Sequence, residues 1–414
     1  MTDICYPNTN QLPSVAAAQA QILATINPIS DQENLPLTAG LGRVLAKTIK
    51  STMAIPPQNN SAMDGYGFAA SDLNPHTAVS LAIIGCAWAG KPFTGSIKAG
   101  ECIRIFTGAV VPDSIDSVIA QELVTVADNQ IQLAANTQAY KNIRKAGSDI
   151  QPEQVLLTAG KTISATDLAL LASAGITSVP VIRQLRIGFF STGDELKPLG
   201  ESLGLGQIYD SNRYQLIGLL SNPLYKLTDL GIINDDPNTL DQTLINAAQQ
   251  HDLLISTGGA SVGEADFIQQ SLARCGQVNF WKIAIKPGKP LAFGTIGHCY
   301  FFGLPGNPVA VLVTFEKFVK PALNKLAGAL PKHTMQIKAI SQDHLRKQAG
   351  RQEYQRGILS CTDGGDWQVA LAGGQDSHQL SAASKANCFI VLSHDCIDVA
   401  IGETVIVEPF QTEI

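Results

Sequence analysis

No two cysteines of this chain stand at C-x-x-C spacing, and none has a histidine at ligand spacing. Cys5, Cys86, Cys102, Cys275, Cys299, Cys361, Cys388 and Cys396 are scattered, which argues against zinc and iron–sulfur sites and for free thiols in a reducing compartment. No apolar run reaches the roughly eighteen residues a membrane span needs. A basic segment followed by an apolar one is missing from the N-terminus, so the chain is expected to be cytoplasmic and without a membrane partner. No dense Lys/Arg run offsets the formal net charge of −6, which excludes an extended nucleic-acid footprint. No G-x-G-x-x-G follows a strand, and Gly160-Lys161-Thr162 lacks the first glycine of a P-loop because position 155 is Val155. Seven widely spread histidines give no Ser-His-Asp or Cys-His engine for nucleophilic hydrolysis.

What remains is the composition of a well-packed globular enzyme, 45% hydrophobic and 15% charged, in a chain of 414 residues that is too long for one core. The chemistry gathers around Asp252 to Asp266. Leu253, Leu254 and Ile255 suit a strand buried on both faces, Gly258 and Gly259 end it, and Ser261, Gly263, Glu264 and Asp266 lead into a helix ending near Gly276. Strand, glycine-rich turn and helix start can cradle an anion; an ordinary βα turn with a capping acid reads the same way.

Taken in order, Val15, Ala18, Ile22, Leu23 and Ile26 predict an amphipathic helix closed by Asn27-Pro28. Asn60 to Tyr66 is a polar loop in which Asp64-Gly65 favours a turn, with Ser61 and Asp64 alternatively presented to a ligand. Short β-like runs from Val79 to Leu133 predict a mostly β insertion, and Thr107-Gly108 follows one of its strands. Asn142 to Ile150 is a small basic cluster ending in Asp149. From Leu185 strands and helices alternate, which predicts an α/β unit with a parallel sheet. Phe280 to Pro290 reads as one extended segment with Lys282 and Lys286 on one face, and a long helix is expected from Val309 towards Leu326. Short strands from Met335 to Val407 predict a small barrel or sandwich. Ligands of open parallel sheets bind beyond the carboxyl ends of the strands. That rule gathers Thr192 to Glu195, Asp235, Asp236, Gly258 to Asp266, Lys286 to Lys289 and Gly303 to Asn307. Amides and lysines suit phosphate oxygens and carboxylates suit Mg²⁺, so phosphoanhydride chemistry fits both.

Six motifs in order carry a resemblance to a family. They are Asn60 to Tyr66, Ile103 to Ala109, Ser191 to Leu196, Thr257 to Gly263, Lys286 to Pro290 and Gly303 to Pro308. With them the whole chain resembles the MoeA-type molybdopterin molybdenumtransferases and the C-terminal part of gephyrin-type proteins. Gln58-Asn59, where the family has Phe-Asp, and Ala260, in place of a common Val, are departures. The resemblance implies insertion of molybdate into adenylylated molybdopterin with Mg²⁺-dependent release of AMP. It implies a multidomain α/β plus β fold: a discontinuous, elongated dimerisation domain (1–45 and 141–179), a mostly β inserted domain (46–140), an α/β parallel-sheet molybdopterin-binding domain (180–330) and a C-terminal β barrel (331–414). A homodimer is implied, with Asp64 and Thr107 facing the other subunit's site, and with molybdopterin adenylyltransferase and molybdoenzyme maturation proteins as partners.

The resemblance assigns catalysis to Asp64, Thr107, Glu195, Asp235, Asp266, Lys282 and Lys286, with Glu195, Asp235 and Asp266 as Mg²⁺ ligands. Substrate binding falls to Ser61, Asp149, Thr192, Gly193, Asp194, Gly258, Gly259, Ser261, Gly263, Lys289, Pro305, Gly306, Asn307, Arg356 and Ser377, with molybdate at Arg356 and Ser377. Two other readings remain. An adenylyltransferase or nucleotide hydrolase would not need the β insertion and the C-terminal β domain, and a gephyrin-like scaffold would not need the acids.

Overall fold

Leu253 to Thr257 is buried at every position, so it requires a neighbour on each side and a cover on each face. In the computed structural model, which describes residues 12–233, 237–258 and 267–410, it lies within a six-stranded sheet. The strand order is Tyr225–Ile233, Leu185–Thr192, Leu253–Thr257, Cys299–Leu304, Pro290–Ile296, Gln277–Lys282. The first four are parallel and the last two antiparallel. The expected parallel sheet thus has an antiparallel edge. Its cause is local: only Gly297 and His298 separate Ile296 from Cys299, and Gly297 takes φ +61°. Two residues allow a hairpin but not the helical crossover that a parallel neighbour needs.

Alternation along the strands divides the core. Ile187, Phe189, Leu253, Ile255, Phe302 and Leu304 face one cluster with Leu216, Val311 and Phe318. Phe190, Leu254 and Phe301 face the other, with Leu240, Leu244 and Leu272. Each such aliphatic or aromatic side chain stabilises by about 1.5–3 kcal/mol relative to exposure.

The long helix expected from Val309 is present but changes pitch: Pro308–Thr314, a π turn over Phe315–Val319, then Lys320–Leu326. Pro321 explains part of this, because it has no N–H to give to the carbonyl four residues back. That carbonyl, of Lys317, instead accepts a 2.7 Å hydrogen bond from Gln19 Nε2. Gln19 belongs to the helix Val15–Thr25, which is capped by the Ser14 hydroxyl and buries Val15, Ala18 and Ile22. A break in one helix therefore docks another.

The strand Gln32–Pro36 pairs with Ser178–Ile182, and Leu45, Ile150, Leu157, Leu171 and Val181 share one core. Chain from both sides of the insertion builds this unit. The insertion is itself a six-stranded sheet ordered Ser117–Ala120, Gly65–Phe68, Glu101–Ile105, Val79–Ala87, Gln130–Leu133, Thr125–Ala127. In the C-terminal part, Gln352–Cys361, Trp367–Leu371, Ile337–Ser341, Thr404–Pro409 and Cys388–Leu392 pair in succession, and the last pairs back to the first. This is a closed five-stranded barrel, and the multidomain α/β plus β architecture read from the sequence is the one observed.

The single extended segment expected from Phe280 to Pro290 is instead two strands in two sheets. Lys282 ends the edge strand of the α/β sheet, opposite Pro290. Lys286 lies in Ile285–Lys286, which joins the barrel beside Gln352 and Glu353. Among the described residues no helix is long and apolar enough to cross a membrane.

Candidate functional site

The parallel strands end in step: Thr192 lies beside Ile233, Ser191 beside Thr257, and Thr257 beside Leu304. Ser191 Oγ and Thr257 Oγ1 are 2.9 Å apart across two of these ends. Gly258, at φ +88°, donates its N–H to the Leu304 carbonyl at 3.1 Å, and a Cβ there would stand 2.5 Å from the Thr192 carbonyl oxygen. Only glycine meets both conditions. Gly193 has φ +142°, and a Cβ on it would meet Glu195 Oε2 at 2.6 Å. The Glu195 carboxylate therefore folds back over the strand end, while Asp194 and Glu195 remain exposed.

Pro305, Gly306 and Asn307 carry the next strand end into its helix. The Gly306 carbonyl accepts a 2.7 Å bond from Asn212 Nδ2, and Asn212 sits on Ser211–Leu219, whose cap is the Asp210 carboxylate. No local pattern in the sequence marked Asn212 for this role, because its partner lies 94 positions away.

The barrel reaches this same end. The Ser377 carbonyl accepts the Val309 N–H at 3.2 Å, just past Asn307. Arg356 is 1% exposed. Its Nη2 donates to the carbonyls of Gly374 at 3.0 Å and Asp376 at 3.2 Å, and its Nε has no partner. Burial pushes its pKa down, against the pull of Glu353 and Asp376. No ion pair reaches this guanidinium among the described residues. A buried cation with donors to spare is costly alone and suited to an anion. Gly193, Glu195, Gly258, Pro305 to Asn307, Arg356 and Ser377 are thus gathered at one end of the sheet.

Asp64 and Thr107 form a second group. Asp64 Oδ1 accepts the Thr107 N–H at 2.8 Å and the Thr107 hydroxyl at 2.7 Å. These two bonds hold the exposed carboxyl below its ordinary range, with a smaller contribution from Arg104. Ser61, expected to offer its hydroxyl to a ligand, is fully buried. Its Oγ donates to the Met63 carbonyl at 2.6 Å and accepts the Met63 N–H, so it shapes the loop instead. Its main chain bonds Ala109 and Gly108, joining the two loops. Asn59, one of the departures, accepts the Ala146 N–H through Oδ1 at 2.9 Å and fixes the loop from the other side. Among the described residues no hydrogen bond or ion pair joins this group to the sheet's end within one chain.

The lysines separate. Lys282 and Lys289 are exposed at the end of the sheet that carries Leu304, where the Lys289 carbonyl accepts the Ile283 N–H. Lys286 Nζ is 3.0 Å from Glu353 Oε1. Asp149 is exposed beside Ile55, whose carbonyl takes the Asp149 N–H. Asp235, Gly259, Ser261, Gly263 and Asp266 lie outside the described residues. Among the described residues no group of three or more His, Cys, Asp and Glu side chains is placed to hold a metal.

An α/β sheet with glycine-bearing strand ends, a buried unpaired guanidinium brought in by a barrel, and a separate acid–hydroxyl pair together make a multidomain α/β plus β protein with a candidate anion site. Residues 13–175 match the MoeA N-terminal region (domain I and II), 188–325 a probable molybdopterin binding domain, and 338–410 the MoeA C-terminal region (domain IV). The chain is 42% identical to a molybdopterin molybdenumtransferase of Haemophilus influenzae, over 95% of this chain and 97% of that protein. It is 36% identical to one of Nostoc sp., over 91% and 88%. A crystal structure of the molybdopterin biosynthesis moeA protein from Pyrococcus horikoshii OT3 superposes with a TM-score of 0.84 at 29% identity, covering 97% of this chain and 100% of that one. The chain belongs to the MoeA family of molybdopterin molybdenumtransferases. Membership places it among the transferases of molybdenum cofactor biosynthesis.

Proposed function

We propose that the chain inserts molybdate into adenylylated molybdopterin, with Mg²⁺-dependent release of AMP, to give the molybdenum cofactor. The observation that carries the reading is the buried, unpaired guanidinium of Arg356, held beside Ser377 and the Pro305 to Asn307 turn, in a chain 42% identical to a molybdopterin molybdenumtransferase. Arg356 and Ser377 bind molybdate, since a delocalised cation with free donors matches a tetrahedral oxyanion. Thr192, Gly193, Asp194, Gly258, Gly259, Ser261 and Gly263 bind the phosphate end of the pterin through close backbone approach. Lys282, Lys286 and Lys289 neutralise its charge. Pro305, Gly306, Asn307 and Asp149 complete the substrate-binding residues.

Glu195, Asp235 and Asp266 would hold Mg²⁺. Carboxylate oxygens are the hard donors that ion prefers, and the Glu195 carboxylate, free of hydrogen bonds among the described residues and turned over Gly193, fits one ligand position. When bound, the ion supplies positive charge at the phosphoanhydride. The chain's own part is positioning and electrostatic stabilisation, as in phosphoryl transfer generally.

A homodimer completes the site, with Asp64 and Thr107 of one subunit facing the strand ends of the other. Residues 1–45 and 141–179 form the elongated dimerisation domain, 46–140 the inserted domain, 180–330 the molybdopterin-binding domain and 331–414 the barrel domain. The protein works in the cytoplasm, between molybdopterin adenylyltransferase and the partners that mature molybdoenzymes. The test is AMP release from adenylylated molybdopterin with Mg²⁺, with and without molybdate. Molybdate-dependent release is expected; equal release without it would favour a hydrolase, and binding without release a scaffold.

A further inference from the structure

A cavity of about 490 Å³ opens where Ile285–Lys286 joins the barrel, lined among others by Lys286, Arg346, Lys347, Arg351, Glu353 and Asp398. Its walls are tied together: Leu345 and Val399 exchange backbone hydrogen bonds, and the Gly350 N–H reaches the His394 carbonyl at 2.8 Å. Four cations face two carboxylates, and both carboxylates are already engaged. Glu353 Oε1 accepts from Lys286 Nζ and from Gln355 Nε2, each at 3.0 Å. Asp398 Oδ1 accepts the Lys347 N–H at 2.6 Å. Lys347 Nζ donates to the carbonyls of Gln348 and Cys396 at 3.2 and 2.9 Å. The guanidinium groups of Arg346 and Arg351 are left without a hydrogen bond or ion pair among the described residues. Arg346 and Arg351 are both exposed, and two unengaged planar forks beside a half-open, net-positive cavity match a tetrahedral oxyanion better than any neutral or cationic ligand.

We infer that this cavity is a second oxyanion site, which takes inorganic phosphate, a phosphate ester or molybdate through Arg346 and Arg351 with Lys286 at its edge. It neighbours the Arg356 group, whose guanidinium also feels Glu353, but takes its ligand on the other face of the strand. Glu353 and Arg356 stand at positions of opposite parity on Gln352–Cys361 and so point to opposite faces, and Arg356 is bonded to Gly374 and Asp376. The site shares only Lys286 with the residues proposed above and does not depend on the transferase reading.

The experiment is isothermal titration of the full-length protein with inorganic phosphate, with sodium molybdate and with chloride at constant ionic strength. It compares wild type, Arg346→Ala/Arg351→Ala, Arg346→Lys/Arg351→Lys and Arg356→Ala, with circular dichroism to confirm each fold. Saturable binding of phosphate, molybdate or both, and none of chloride, is expected. The double alanine variant should weaken it on the order of tenfold to a hundredfold, as loss of charged hydrogen bonds does. The double lysine variant should retain part of it, and Arg356→Ala should leave a binding phase that the Arg346/Arg351 variants remove. Which anion binds more tightly identifies the source of the ligand. Absence of saturable binding, or binding unchanged in the folded double alanine variant, overturns the inference. Loss in Arg356→Ala alone would leave the molybdate assignment to Arg356 standing and this one refuted.

Discussion

Replacing Gly258 by alanine tests whether the strand ends are set by close backbone approach. The new Cβ would stand 2.5 Å from the Thr192 carbonyl oxygen and 3.0 Å from Thr192 Oγ1, and φ is +88°. Thr192 is buried and paired to Ile233 in the sheet, so the carbonyl cannot swing away as a side-chain tip would. A non-glycine residue at such a φ costs about 1–3 kcal/mol, and overpacking adds about 1–3 kcal/mol. Alanine recovers about 0.4–1 kcal/mol by restricting the unfolded chain. The net loss is about 1–5.5 kcal/mol, which for a unit of this size lowers its transition by about 2–22 °C. Gly193→Ala provides the control. Gly193, at φ +142°, shares the backbone cost of about 1–3 kcal/mol, but its Cβ meets the flexible Glu195 carboxylate at 2.6 Å rather than fixed backbone, so this variant should melt above Gly258→Ala while losing activity through the displaced acid. Differential scanning calorimetry reads both. A Gly258→Ala protein that melts within about 1 °C of wild type would refute the reasoning.

Asp252 is buried, which raises its pKa, but hydrogen bonds from Arg183 and Arg186 outweigh this and leave it at about 2. A depressed carboxyl stabilises the fold above its unfolded pKa near 3.9, and that contribution is lost as pH falls towards 2. In Asp252→Asn the acid-side fall in melting temperature should flatten by the equivalent of about 2 kcal/mol; an unchanged slope between pH 5 and 2.5 would contradict it. Thr107→Val removes one of the two donors to Asp64 and should move that carboxyl's titration, read by carbon NMR, upward towards the ordinary range, and no movement would show the hydroxyl to be inert. Gln19→Ala frees the Lys317 carbonyl and should cost about 1 kcal/mol, with faster amide exchange over Val15–Thr25; exchange equal to wild type would deny that this bond docks the helix.

Periodicity and the closing Asn27-Pro28 pair were enough to read the helix at Val15–Thr25 and the fully buried run at Leu253–Thr257, because each is decided within a few residues. What depended on distant pairing was not legible. Lys286 leaves the α/β sheet because its two-residue strand finds Glu353, 67 positions away, and no local pattern distinguishes that from continuation of the strand ending at Lys282. Ser61 reads as a free hydroxyl until the loop folds and Met63 takes it. Arg356 has no local sign of chemistry. Its place follows from the barrel closing and from Ser377 meeting Val309. The antiparallel edge had a signal in the two residues between Ile296 and Cys299, and Arg346 and Arg351 had none.

The proposed function couples AMP release to metal insertion in one protein. The most direct measurement follows both products in one reaction: AMP by chromatography and pterin-bound molybdenum by mass spectrometry, from adenylylated molybdopterin, Mg²⁺ and molybdate. Equal amounts of the two, rising together and both abolished by leaving out molybdate, are the predicted result. AMP accumulating while the pterin stays free of metal would contradict the account.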